Sequence, residues 1–474
     1  MARSRPDRFG RLRRPHEIRP AWAESDRFVP ERFIQPVLAY MRTEASGGVV
    51  MLLAAVAAVA WANSPYGDGY TRLWETPLTI DLAGVLLLEH TLQEWVNDAL
   101  MVLFFFVIGL EIKRELVTGE LTDRRAAALP IIAAVGGMVV PALIYLAFNA
   151  GTEAARGWGI PMATDIAFAV GVVSLVGTRV PIAAKLFLLT LAVADDIGAI
   201  LVIALFYTED LALTWLLAAV AGLAVVVGMQ RLEVRTTALY LFVGSWVWLA
   251  LLESGVHATL AGVTLGLLTP TQAFYRADAL APSARVLVAR IEEYAGDPLQ
   301  DEDPRTIERI NVLLRDINRL SRESVAPLER LEHKLAPWSS FLVVPVFAFA
   351  NAGVRISGDA LSGALDDPVL LGVFLGLLVG KFVGVTGATW LAIRAGLAGL
   401  PSQATWRHVI GMAMLAGIGF TVALFVTALS FEQPELTDSA KIGIFASSIL
   451  AGMAGFVWLR TAPELLDAAG SEEA

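Results

Sequence analysis

No cysteine occurs anywhere in the 474 residues, which removes disulfides, thiolate nucleophiles and cysteine-ligated metal sites together. Charge is scarce as well: 17% of residues are Asp, Glu, Lys or Arg, against about 25% in ordinary soluble domains. The amino-terminal stretch lacks any apolar core and carries seven Arg in its first twenty positions, so it does not read as a cleaved secretory signal. Beside a membrane such a tail reads as a topogenic or lipid-contacting segment, and no nucleic-acid partner is expected. What the chain has in abundance is hydrophobicity, 56% of residues, gathered into runs of roughly 17 to 25, the length that crosses a hydrocarbon core.

These runs predict an all-α polytopic membrane protein of about twelve transmembrane helices. They fall near 47–63, 92–110, 127–148, 160–176, 182–207, 212–229, 237–252, 255–270, 338–354, 368–391, 408–430 and 440–459. Placing both termini in the cytoplasm leaves all but five of the 36 basic residues there, the exceptions being Arg72, Arg156, Arg355, Lys441 and the intramembrane Lys381. The expected organisation is a cytoplasmic tail over 1–46 with an interfacial helix at 31–44, spans one to eight over 47–270, a cytoplasmic insertion over 271–337, spans nine to twelve over 338–460 and a tail over 461–474. In the insertion, Ile307, Ile310, Leu314, Ile317 and Leu320 mark the apolar face of an amphipathic helix, a second helix is expected at 284–295, and 296–304 reads as the linker. Residues 77–91 read as an external strand pair turning at Ala83-Gly84, whose edge is a candidate homodimer contact within 65–91.

Five ionisable residues fall at membrane depth: Asp98, Asp165, Asp195, Asp196 and Lys381. A charge there persists where it faces a partner, a polar cavity or an ion. Adjacent positions on a helix point about 100° apart, so Asp195 and Asp196 cannot face one neighbour alike. Lys381 is the natural partner for one of them, which leaves the other carboxylate open to a cation, and a hard cation such as Na⁺ prefers oxygen ligands. Thr164-Asp165 before an apolar run is a helix-start signal inside a span, and Gly417-Ile-Gly419 offers a second interruption late in the chain. Two broken spans, placed alike in an early and a late group, point to an inverted-repeat transporter with its site at mid-membrane.

These residues resemble the NhaA-type sodium/proton antiporter family. The resemblance runs through Trp95-Val-Asn-Asp-Ala-Leu-Met101, Gly109-Leu-Glu-Ile-Lys-Arg-Glu-Leu116, Ala163-Thr-Asp-Ile-Ala-Phe-Ala169, Ala194-Asp-Asp-Ile-Gly-Ala199, Ser254-Gly-Val-His-Ala-Thr-Leu-Ala-Gly262, Phe347-Ala-Phe-Ala-Asn-Ala-Gly353, Gly380-Lys381 and Gly417-Ile-Gly-Phe-Thr421. It implies twelve helices with inverted-topology repeats and two interrupted crossing helices. It implies also that Asp195 and Asp196 carry Na⁺, Li⁺ and protons, that Lys381 pairs with Asp195, and that Asp165 and Thr164 belong to the crossing. Glu111, Arg114, Glu115, Glu332 and His333 resemble the family's pH-sensing cluster, and His257 its pH-linked histidine. No cofactor and no enzymatic activity are expected, and the localisation implied is a bacterial inner membrane. Phe382 stands where the family commonly has proline, and Ala336 where a histidine is expected.

The mechanism implied is alternating access with pH-regulated, electrogenic exchange of sodium for protons. Two other classes compete with it. An intramembrane aspartyl protease also needs two membrane aspartates, but neither Tyr-Asp nor Gly-x-Gly-Asp surrounds Asp165, Asp195 or Asp196. A cation channel would more naturally use rings of equivalent acids or carbonyls than one asymmetric Asp-Asp-Lys cluster.

Overall fold

The computed structural model describes residues 32, 46–82, 86–208, 211–275, 277–295, 304–355, 363 and 365–462. The Arg-rich tail and the interfacial helix expected at 31–44 lie, but for residue 32, outside the described residues. So do the Ala83-Gly84 turn, the linker over 296–303 and residues 463–474.

From the amino terminus, α1 (Ser46–Ala62) turns through 116° into the short α2 (Gly67–Trp74) and then a hairpin of β1 (Pro77–Leu82) and β2 (Leu86–Thr91), paired antiparallel with Pro77 opposite Thr91. The second span, α3 (Leu92–Val117), starts at a reciprocal cap: Thr91 accepts from the Glu94 amide while Glu94 Oε2 accepts from the Thr91 amide at 2.7 Å. Next come α4 (Arg124–Asn149), a 3₁₀ stretch (Glu153–Met162), α5 (Ile166–Val176) and α6 (Ile182–Phe206). Then follow α7 (Leu213–Arg231), α8 (Thr237–Leu252) and α9 (Thr259–Leu268). The insertion holds α10 (Ala277–Ala295), α11 (Pro304–Glu323) and α12 (Pro327–Trp338). The last group is α13 (Val344–Asn351), α14 (Pro368–Arg394), α15 (Trp406–Leu415), α16 (Phe420–Ser430) and α17 (Pro434–Arg460).

The chain is an all-α polytopic membrane protein. Among the described residues seven stretches are long and apolar enough to cross a bilayer, and nine if each bent pair counts as one span. The shorter α8 and α9 and the helix over Ser339–Asn351 fall on the remaining expected spans. Alternation of the spans puts Arg179, Arg231, Arg394 and Arg460 at one face, called here the basic face; the hairpin lies at the other.

Two groups of three share one plan: α4, a broken span and α6, then α14, a broken span and α17. Gly136 and Gly384 bring α4 and α14 together so closely that a Cβ on Gly384 would sit 2.2 Å from the Gly136 carbonyl oxygen. Just before Lys381, α14 widens into a π-turn over Gly376–Gly380; the same feature interrupts α3 at Val96–Leu100, around Asp98. A π-turn inserts a residue into the helical count, so it changes which way the following side chains face.

The insertion corrects one expectation. The stripe that α11 buries is Thr306, Leu313 and Leu320, with Ile310 and Ile317 half-buried, whereas Ile307 and Leu314 are exposed. Both stripes are amphipathic on a helical wheel. Ile310, Ile317 and Leu320 belong to both; beside α10 the face is rotated so that Thr306 and Leu313 replace Ile307 and Leu314. Glu323 fastens the end of α11 to the membrane domain through Arg235 Nη1 at 2.6 Å.

Candidate functional site

The two broken spans meet at their breaks. Asp165 caps α5, its Oδ1 accepting from the Phe168 amide at 3.1 Å, so the three residues before α5 leave the helical path inside a span. The break between α15 and α16 covers residues 416–419 and bends the pair by 42°. The Asp165 amide donates to the Ile418 carbonyl at 2.6 Å, and Asp165 Oδ2 accepts from the Thr421 hydroxyl at 2.6 Å and its amide at 3.1 Å. Each break thus supplies the backbone partners that the other lacks, a requirement inside lipid, where no water can do it.

Thr164 connects this crossing to α6. Its hydroxyl oxygen lies 2.6 Å from Asp195 Oδ2 and 2.9 Å from the Ala416 carbonyl oxygen. Having one proton, it donates to one of them at a time. Lys381 Nζ reaches the same Oδ2, forming an ion pair in which both side chains are wholly buried. Asp195 Oδ1, by contrast, is buried with no hydrogen-bond partner among the described residues. The neighbouring Asp196 is 5% exposed, and its carboxylate accepts no hydrogen bond from a described residue. A saturated carboxylate oxygen and an unsaturated set of carboxylate oxygens thus sit side by side on one helix.

Arg114, near the end of α3, pairs with Glu332 on α12 and lies 3.5 Å from Glu115. Burial pushes the Glu332 carboxyl above the usual glutamate range; Arg114 opposes this and the Glu115 charge adds to it. Glu111 is half-buried one turn earlier on α3, and His333 is exposed on α12. Beside this group opens a cavity of about 350 Å³ whose lining includes Glu115, Glu120, Asp123 and, from α6, Thr190. His257 is elsewhere: its Nε2 lies 2.8 Å from the Tyr207 carbonyl just past the end of α6, at the hairpin face. Asp98 is half-buried in α3, apart from the aspartates of the crossing; its carbonyl accepts from Trp248 Nε1 at 2.7 Å.

A family described as Na⁺/H⁺ antiporter 1 matches residues 38–459. Proteins named Na(+)/H(+) antiporter NhaA from Oleidesulfovibrio alaskensis and Anaeromyxobacter sp. are 44% and 45% identical to this chain over 91% of it, covering 94% and 92% of their own lengths. The protein of that name from Koribacter versatilis is 43% identical over 91% of this chain. The chain belongs to the NhaA family of Na⁺/H⁺ antiporters.

In this antiporter, sequence reading missed three residues. Thr421 was quoted as part of a glycine motif, yet its hydroxyl and amide are what hold Asp165. Lys441, expected outside the membrane, is buried within α17, so Lys381 is not the sole basic side chain buried at a span. His408 drew no attention, and it is 2% exposed at the start of α15. A Thr-x-x-His spacing at Thr405 was the available signal, since a helix-start residue and the third residue after it form reciprocal caps.

Proposed function

We propose that Na⁺ or Li⁺ and protons compete for the Asp195 and Asp196 carboxylates in alternating access between the two membrane faces, with the basic face cytoplasmic and the membrane the bacterial inner membrane. The observation that carries this reading is the unequal hydrogen bonding of the aspartates: Lys381 and Thr164 saturate Asp195 Oδ2, while Asp195 Oδ1 and Asp196 have no described partner. Those free oxygens are hard-cation ligands, to be completed by neutral oxygens, because no three His, Asp or Glu side chains converge among the described residues.

Thr164 supports a two-state site. With Asp195 ionised, Lys381 compensates the charge and the hydroxyl can donate to the carboxylate. With Asp195 protonated, the acid can donate to Thr164 Oγ1, whose own proton turns to the Ala416 carbonyl, so Asp195 Oδ2, Thr164 and Ala416 stay satisfied without Lys381. Loading the cation at the aspartates displaces protons from the pair; loading protons expels the cation. More than one proton per sodium makes exchange electrogenic. Arg114 and Glu332, bridging α3 and α12 beside the acidic cavity, support a pH-responsive entrance together with Glu111, Glu115 and His333, whereas His257 acts from the opposite face. The hairpin over 77–91 retains outer strand edges suited to a homodimer contact.

Competition is tested by titrating Na⁺ into the purified protein across pH. For each competing proton the apparent affinity should fall about tenfold per pH unit on the acid side, by linkage. In Asp196→Asn that slope should flatten; an affinity independent of pH in the parent refutes shared carboxylates.

A further inference from the structure

The half-spans α5 and α15 run in opposite directions between the crossing and the basic face. At the crossing they are tied by Thr164, Asp165, Ala416 and Ile418. At the basic face they are tied again. His408, the third residue of α15, places Nε2 3.1 Å from the carbonyl oxygen of Arg179, which closes the 3₁₀ turn after α5. Its Nδ1 accepts from the Thr405 amide at 3.0 Å, capping α15. A carbonyl partner requires a donor and an amide partner requires an acceptor, so this geometry selects the neutral imidazole with its proton on Nε2. Around it, Arg179 donates to the Arg460 carbonyl, and Arg407 Nη1 donates to the Thr461 carbonyl at 3.3 Å. Both arginines fasten this corner to the end of α17, which packs against α5 and α15 alike.

We propose that His408 is a positioning residue for antiport: by joining the basic-face ends of the two broken spans it turns them into a frame tied at both ends, which moves as one unit and keeps Thr164 and Asp165 in register with the aspartates of α6. It touches neither cation nor carboxylate. Its contribution is to the rate of the conformational step, and the cation site itself is left intact. The inference rests on the antiport reading and goes beyond it by assigning a residue outside the crossing.

The test compares His408→Leu with His408→Gln. Leucine fills similar space but leaves the Thr405 amide and the Arg179 carbonyl unpaired. Glutamine offers one acceptor and one donor, and Thr-x-x-Gln is itself a reciprocal cap sequence. Full-length protein is reconstituted in proteoliposomes, and Na⁺-driven proton exchange is normalised to folded transporter measured by size-exclusion chromatography. His408→Leu should lower maximal exchange about tenfold, the scale of losing two partly buried hydrogen bonds, with the Na⁺ concentration for half-maximal rate unchanged. His408→Gln should recover at least half of the parental rate.

Because the chain has no cysteine, a second readout is available without background: spin labels at Thr178→Cys and Gln403→Cys report the basic-face separation of the half-spans. Their distance distribution should broaden with His408→Leu and stay narrow with His408→Gln. Parental exchange in the leucine variant, or a loss that glutamine does not relieve, overturns the inference while leaving antiport standing. A parent that performs no sodium-dependent exchange defeats the antiport reading, and the positioning role falls with it; the label distances then report only whether the tie itself exists.

Discussion

Replacing Lys381 by Met keeps most of the apolar stem and deletes the charge that compensates Asp195, both side chains being fully buried. Removing one partner of a buried ion pair costs about 3–5 kcal/mol, because the remaining charge is left in a low-dielectric site. Thr164 can still donate to Asp195 Oδ2, but one neutral hydrogen bond returns only about 1 kcal/mol. The stranded carboxylate can escape by taking up a proton, which becomes harder as pH rises. The destabilisation should therefore grow with pH, reaching its full size in alkaline buffer. Removing the second charge as well, in Lys381→Met with Asp195→Asn, should recover most of the loss, since neutralising both partners of a buried pair is often tolerated. Thermal unfolding of the parent, both single variants and the double variant in detergent, at acidic and alkaline pH, measures the coupling as a double-mutant cycle. A Lys381→Met protein as stable as the parent at alkaline pH, or a double variant less stable than Lys381→Met, refutes the reasoning.

Thr421→Val should destabilise the crossing by about 1–3 kcal/mol, because it removes the hydroxyl donor to Asp165 Oδ2 at a buried site, while Thr421→Ser should be near neutral in thermal unfolding. Glu332 has its carboxyl raised by burial, so its neutral form favours the folded state; its contribution is complete below the ordinary glutamate range and is lost as pH rises through the raised folded value. In Glu332→Gln that fall in the unfolding temperature with rising pH should disappear, and exchange should activate over a broader pH range. Gly384→Val should part α4 from α14 and move Lys381, one turn away, off Asp195; a near-complete loss of exchange in folded protein is expected. Imposing an inside-negative potential on proteoliposomes should speed sodium export, and a flat response would remove electrogenicity from the account.

The cluster of charges at the crossing was legible because charge inside an apolar run is costly enough to single out Asp165, Asp195, Asp196 and Lys381 without any contact information. The breaks were legible too, from a capping dipeptide at Thr164-Asp165 and the glycines at 417 and 419, both features of local backbone preference. What stayed hidden depends on contacts distant in sequence. Nothing local announces that Thr421 donates to an aspartate 256 positions earlier, or that His408 finds a carbonyl 229 positions away. The π-turn at Gly376–Gly380 has no compositional mark, and without it the facing of Lys381 along α14 cannot be counted from sequence. On α11 two overlapping faces share Ile310, Ile317 and Leu320, and whether Leu313 or Leu314 is buried with them depends on packing against α10.

The central claim, that sodium and protons use the same aspartates, is tested most directly by Na⁺-induced proton movement in acid-loaded proteoliposomes across pH, comparing the parent with Asp196→Asn. The account predicts robust exchange in the parent that declines toward acidic pH, and none in the variant at any pH although it folds and inserts. Undiminished exchange in Asp196→Asn would contradict it and place the ion site elsewhere in the molecule.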